Sequence, residues 1–129
     1  MLLWFIHTVK RFSVNKIVVV EDDRSFSDLL SGYIESLNNE YQVIKVEDVQ
    51  SFIVEYNRGK IDYLFLDILL PGISGVELLK FLKSLNSDIK IFLMTGITRV
   101  YDESFGLADG YLEKPFELNK VKELLGENG

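Results

Sequence analysis

Residues 65–75 read FLDILLPGISG, an apolar run that carries one carboxylate, Asp67, shortly before a Pro-Gly turn. The run begins upstream as IDYLFLD (61–67), nearly continuous in apolar residues, which is how a strand buried on both faces reads. Past the turn, Ser74 followed by Glu77 is a capping-box signature that opens a helix running through Leu85. Strand, turn and helix in immediate succession open a parallel β-α-β unit. Asp67 is the anomaly in it. A lone buried carboxylate is costly to leave ionised, so it is neutral, paired, or set where a ligand compensates it.

The same alternation runs from Lys16 onward. IVVV (17–20), YQVIKV (41–46), IKIFLMT (89–95) and GYLEK (110–114) read as further strands, which with 61–67 make five. Between the first two, Phe26, Leu29, Leu30, Tyr33, Ile34 and Leu37 recur at helical spacing and predict one apolar helix face. Val49, Phe52, Ile53 and Tyr56 repeat the pattern in the second connection, and residues 117–125 read as a last, short helix. Strands alternating with helices pair in parallel through right-handed crossovers, so the fold class is α/β, a doubly wound five-stranded sheet. For the strand order 2-1-3-4-5 the ligand site lies beyond the carboxyl ends of strands one and three, where the order reverses.

With 129 residues the chain forms one domain, long enough to bury roughly two thirds of its unfolded surface. A net charge of -6 argues against a nucleic-acid surface. The absence of cysteine excludes disulfides, thiolate metal sites and a cysteine nucleophile, and is compatible with the reducing cytoplasm expected as the location. In the opening MLLWFIHTVKR the apolar run is too short to span a membrane and its positive charges follow that run, so it is neither a signal peptide nor a span. Leu3, Trp4 and Ile6 are candidates to pack on the body or on a neighbouring chain, with a misassigned start codon as the alternative. His7 has no partner in view and no assigned role.

The strand ends carry the chemistry. Strand one ends in Glu21-Asp22-Asp23, strand three in Asp67, strand four in Thr95, and strand five in Lys114 followed by Pro115. Clustered carboxylates suit a hard cation such as Mg²⁺, and a lysine and a hydroxyl beside it suit an anion. Together they describe a pocket for a phosphoryl group with Asp67 as its nucleophile. Each piece alone has a plainer reading: Asp23 as a helix cap, Asp67 as a turn residue, Thr95 as a strand-end hydroxyl, Lys114 as a solvated charge. Their convergence at one sheet edge favours the pocket. Glu47 and Asp48, after the outer second strand, read as the entry to the next helix.

With these motifs in place, residues 15–125 resemble the receiver domain of two-component response regulators, through NKIVVVEDD, LFLDILLPGISGVELL, IFLMTG and GYLEKPF in family order. The resemblance implies the flavodoxin-like receiver fold and assigns Asp67 as phosphoacceptor. It makes Glu21 and Asp22 the acidic pair, Asp22 being the more direct metal ligand, and Leu69 a metal ligand through its backbone carbonyl. It matches Thr95 to the hydroxyl that follows the phosphoryl group, Lys114 to the lysine that pairs with it, and Tyr111 to the aromatic that turns on activation. The cofactor implied is Mg²⁺ or Mn²⁺. The partners implied are a histidine kinase or histidine phosphotransfer protein and a downstream protein, with no nucleic acid and no membrane, and the chain a monomer or weak homodimer. Phosphorylation and dephosphorylation are then self-catalysed, without turnover of a separate substrate.

The pattern departs from the family in three places. Residues 1–14 form an extension outside the resemblance, with 126–129 as a tail. The connection ITRVYDESFGLADGYLE (97–113) is shorter than usual and contains Gly106, so the helix expected there is short or irregular. The chain ends soon after Leu125, so no output domain is expected. Leu69 and Ile97, the residues two beyond Asp67 and Thr95, are both apolar, so in the resemblance they would screen the phosphorus from water and slow phosphoryl loss, while Gly96 leaves it open to a donor.

Three rival readings fit parts of this pattern. Haloacid-dehalogenase-type phosphatases place a second Asp two residues after the nucleophile, where this chain has Leu69. A dinucleotide-binding domain needs a glycine-rich loop after strand one, where this chain has Glu21-Asp22-Asp23. The remaining alternative is a receiver-like binding module not regulated by phosphorylation, and the complete set of acids, threonine and lysine argues against it.

Overall fold

The computed structural model describes residues 15–70, 72–85, 87–96 and 106–127. Strands β1 (Asn15–Val20), β2 (Tyr41–Val46), β3 (Tyr63–Asp67), β4 (Lys90–Thr95) and β5 (Gly110–Glu113) form one sheet in the order β2-β1-β3-β4-β5. Every neighbouring pair is parallel, as buried apolar strands joined by helices require. Helices α1 (Arg24–Leu37), α2 (Val49–Arg58), α3 (Gly75–Ser84) and α4 (Leu118–Leu124) cover the two faces. None of these is long and apolar enough to cross a membrane.

The two faces of β1 show how the layers are built. Side chains alternate along a strand, so Val18 and Val20 enter the layer with Phe52 of α2 and Leu78, Leu79 and Leu82 of α3. Ile17 and Val19 enter the opposite layer with Leu30 and Ile34 of α1 and Val121 of α4. Helices α1, α2 and α3 start where the sequence offers a cap, whereas α4 follows Glu117 without a side-chain cap hydrogen bond. Asp23 accepts the Phe26 N–H at 3.2 Å, Asp48 the Ser51 N–H at 2.7 Å, and Ser74 the Glu77 N–H at 3.2 Å. Glu47 and Asp48 thus lie at a helix entry, as read.

Local differences from the sequence reading have local causes. β3 begins at Tyr63 and not at Ile61, because Asp62 ties itself to Lys16: its N–H donates to the Lys16 carbonyl at 2.9 Å and its Oδ2 accepts the Lys16 N–H at 2.9 Å. On α1 the apolar stripe and the buried stripe are offset. Ser27, Leu30, Ser31 and Ile34 are buried while Leu29 is 65% exposed, since the helix rolls its small serines against the sheet. Glu55 of α2, which carries no apolar signal, is buried and ion-paired to Lys16 at 3.2 Å and Arg58 at 2.8 Å. The N-terminal extension, His7, Ile97 and the connection through Phe105 lie outside the described residues. Gly106 and Leu107, which are described, belong to a 3₁₀ turn.

Candidate functional site

Glu21 follows β1 directly and extends its pairing, the Glu21 N–H donating to the Val46 carbonyl at 3.0 Å. That pairing directs its side chain into the interior, where the residue is 1% exposed. Asp67 closes β3, the neighbour of β1, and is 4% exposed. Asp22 stays exposed between them and solvent. Carboxylate oxygens of Glu21, Asp22 and Asp67 lie within 4.8 Å of one another. Asp23 does not join them, because its side chain caps α1.

Lys114 brings the opposing charge from β5. Its backbone N–H donates to the Thr95 carbonyl at 2.8 Å, which carries the last pairing of β4 with β5 one residue further and places the side chain over the acids. The ammonium donates to Asp67 Oδ2 at 3.1 Å and to Glu21 Oε1. The other Asp67 oxygen, Oδ1, accepts the Leu69 N–H at 2.9 Å.

The electrostatics show which charge the site cannot balance alone. Burial, then hydrogen bonding to Asp67 and its charge, push the Glu21 carboxyl up to about 7, against the pull of Lys114. For Lys114, burial opposes the charge, but hydrogen bonds to Glu21 and Asp67 and their charges outweigh it and hold the ammonium above the ordinary lysine range. One ammonium thus faces three carboxylates, and one of those carboxylates is disposed to keep a proton. An all-oxygen donor set with this excess of negative charge fits a hard divalent cation, which would take the place of that proton.

The structure therefore brings together Glu21, Asp22, Asp67 and Lys114 at the switch point between β1 and β3, with Thr95 half-buried at the end of β4 beside Lys114. Leu69 lies next to Asp67 through its N–H, with its side chain 58% exposed. Tyr111 sits in β5 with 40% exposure, on a strand and not in the acidic cluster. Two neighbours escape a sequence reading. The Phe26 ring centroid lies 4.6 Å from the Lys114 ammonium, although helical periodicity assigns Phe26 to the apolar face of α1. Gly75 lies so close to the Asp67 loop that a Cβ there would sit 2.2 Å from the Asp67 carbonyl oxygen. The signal for Phe26 is its position one turn after the acidic loop; for Gly75 it is its position at the start of the helix that follows the Pro-Gly turn.

Comparison with known proteins finds relatives of this chain. The chain is 34% identical over 106 residues to the phosphate regulon transcriptional regulatory protein PhoB of Escherichia coli, covering 78% of this chain and 45% of PhoB. It is 32% identical over 109 residues to the alkaline phosphatase synthesis transcriptional regulatory protein PhoP of Bacillus subtilis, covering 82% of this chain and 45% of that protein. The chain thus spans about half the length of these curated relatives. Among solved structures, TrrA of Thermotoga maritima, determined in complex with Mg²⁺-BeF, matches with a TM-score of 0.78 and 29% identity over 88% of this chain and 98% of that one. A CheY-like receiver domain from Methylobacillus flagellatus matches with a TM-score of 0.77 and 26% identity, again over 88% of this chain and 98% of the other. Residues 17–126 match the family described as the response regulator receiver domain, so the acids, the lysine and the sheet that joins them sit in a chain that belongs to that family.

Proposed function

We propose that Asp67 is the phosphoacceptor of this receiver domain, taking its phosphoryl group from a phosphohistidine on a histidine kinase or histidine phosphotransfer protein. The observation that carries the reading is the pairing of a 4% exposed Asp67 at a strand end with Lys114 at 3.1 Å, beside two further carboxylates. A bound Mg²⁺ or Mn²⁺, held by Glu21, Asp22, Asp67 and the Leu69 carbonyl, would neutralise phosphoryl oxygens and bring them against the acids. An Asp67 carboxylate oxygen attacks the phosphorus in line, forming a P–O bond as the P–N bond to the donor imidazole breaks. Lys114 follows the charge onto the phosphoryl oxygens. The Thr95 hydroxyl is drawn toward them, and Tyr111 reports the change on the outer strand by reweighting two pre-existing states. The protein catalyses its own phosphoryl uptake and loss and turns over no separate substrate. Its output is protein binding, a reading that the net charge of -6 supports over contact with nucleic acid.

The test is incubation with Mg²⁺ and acetyl phosphate, followed by intact-mass measurement. Wild type gains one phosphoryl group, and Asp67→Asn gains none while keeping its circular dichroism spectrum. Chelation of the metal stops uptake in wild type. Uptake by Asp67→Asn at the wild-type rate refutes the assignment, and no uptake by wild type returns the chain to the reading of a binding module not regulated by phosphorylation.

A further inference from the structure

Two carboxylates account for only one side of the Lys114 ammonium. A lysine ammonium has three donors on a flexible four-carbon stem, and its easiest escape is to swing the charge out to water. Here the side chain is only 22% exposed, and the Phe26 ring lies beneath the ammonium at 4.6 Å, inside the range of about 6 Å over which a ring face attracts a cation. We propose that Phe26 is a positioning residue for Lys114, its ring face holding the ammonium at the depth from which it meets the phosphoryl group. The proposal rests on the reading of Asp67 as phosphoacceptor.

The ring is itself held in place. Phe26 occupies the first turn of α1, and its N–H is tied to the Asp23 cap at 3.2 Å. The Asp23 N–H in turn donates to Glu21 Oε2 at 3.4 Å, which links the start of the helix to the carboxylate on the other side of the ammonium. Phe116, two residues after Lys114, meets the Phe26 ring at 5.5 Å between centroids and 84° between planes, an edge-to-face contact. The turn after β5 thus supplies both the cation and an aromatic neighbour that fixes the ring beneath it.

An aromatic ring suits this place for a chemical reason. When Asp67 becomes an acyl phosphate its oxygens lose their charge, so the ammonium loses one of its two anionic partners and has to turn to the phosphoryl oxygens. A carboxylate in the position of the ring would compete for the ammonium at that step. An aliphatic side chain would exclude water from that side but offer the ammonium no attraction. A ring face attracts the cation in both states, has no lone pair to offer against the phosphoryl group and does not titrate.

Four variants test this: Phe26→Leu and Phe26→Met remove the ring face and keep apolar bulk, Phe26→Tyr keeps the face, and Phe52→Leu perturbs the opposite core layer. Two quantities are read. Hydrogen exchange of the Lys114 ammonium is followed by nitrogen-15 NMR in the unphosphorylated protein. The rate of uptake from acetyl phosphate is measured at saturating Mg²⁺, with Mg²⁺ affinity determined separately. Phe26→Leu and Phe26→Met are expected to speed ammonium exchange and slow uptake by about tenfold each, with Mg²⁺ affinity changed less than about twofold. Phe26→Tyr and Phe52→Leu are expected to stay near wild type in both. Wild-type exchange in the Leu and Met variants, equal impairment in Phe26→Tyr, or the same losses in Phe52→Leu would overturn the proposal. If wild type takes up no phosphate the assignment of Asp67 fails, and the exchange measurement still decides the role of Phe26.

Discussion

At the scale of single residues, Glu21 carries the tension of the site. Its carboxyl moves from 4.5 to about 7 on folding, through burial first and Asp67 second. Across that window the native state holds a proton that the unfolded chain has released. The contribution of Glu21 to the stability of the metal-free protein is therefore greatest below the window, falls as pH rises through it and levels off above about 7, a loss on the order of 3 kcal/mol. Urea unfolding of wild type and Glu21→Gln in EDTA at several pH values will show this as a difference between the two slopes, in which any titration of His7 cancels. Mg²⁺ at pH 8 should restore stability to wild type more than to Glu21→Gln. Leu69 makes a second residue-scale prediction. Its side chain, two residues from Asp67, is 58% exposed and cannot hold a water by hydrogen bonding. Phosphorylated Leu69→Asn, given an amide there, should lose its phosphoryl group several-fold faster than wild type once the donor is removed, as followed by intact mass over time.

Among elements, α3 decides how closely a helix approaches the site. Its first residue, Gly75, donates its N–H to the Ile68 carbonyl at 3.3 Å, and a Cβ in its place would meet the Asp67 carbonyl oxygen at 2.2 Å and Ile68 Cα at 2.8 Å. Both are backbone atoms of the loop that carries Asp67, so either α3 or that loop must move. Gly110 offers a contrast, since a Cβ there would meet side-chain atoms, Leu124 Cδ2 at 2.5 Å and Phe92 Cδ1 at 3.2 Å, which rotate more cheaply. Gly75→Ala should cost about 1–3 kcal/mol and weaken Mg²⁺ binding as well, whereas Gly110→Ala should cost stability and leave Mg²⁺ affinity unchanged. Urea midpoints and a Mg²⁺ titration on the two variants separate these outcomes. Equal Mg²⁺ affinities would show that the loop absorbs the new methyl without displacing the acids.

For the whole molecule, the central strands belong to both layers at once. Leu64 and Leu66 of β3 face the α2 and α3 side, and Phe65 between them faces the α1 and α4 side, all fully buried. Neither layer can lose its packing while the other keeps it, because they share this backbone. Leu64→Ala should remove about 2–5 kcal/mol and do so in a single transition. Far-ultraviolet dichroism and amide exchange at Leu78 and Val121, one residue from each layer, should report the same loss. Different losses at the two amides would mean that the layers open independently.

Much of this protein was legible in its sequence because the signals are local. Apolar strands of burial length, cap residues at Asp23, Asp48 and Ser74, and the alternation of strand with helix depend on neighbours within a few residues, and they led to the parallel sheet, while its strand order came with the family resemblance. The acids, the threonine and the lysine were legible for the same reason, since each stands at a strand end and the order of the strands brings those ends together. Other features depended on which face a helix turns inward. Periodicity marks Phe26 and Leu29 alike as apolar, yet the roll of α1 onto its serines leaves Leu29 in solvent and sets Phe26 beneath Lys114. Glu55 and Gly75 show the same limit: burial beside Lys16, or contact with the Asp67 carbonyl, arises between segments distant in the chain, and the roll and approach of helices against the sheet are decided only when the whole core packs.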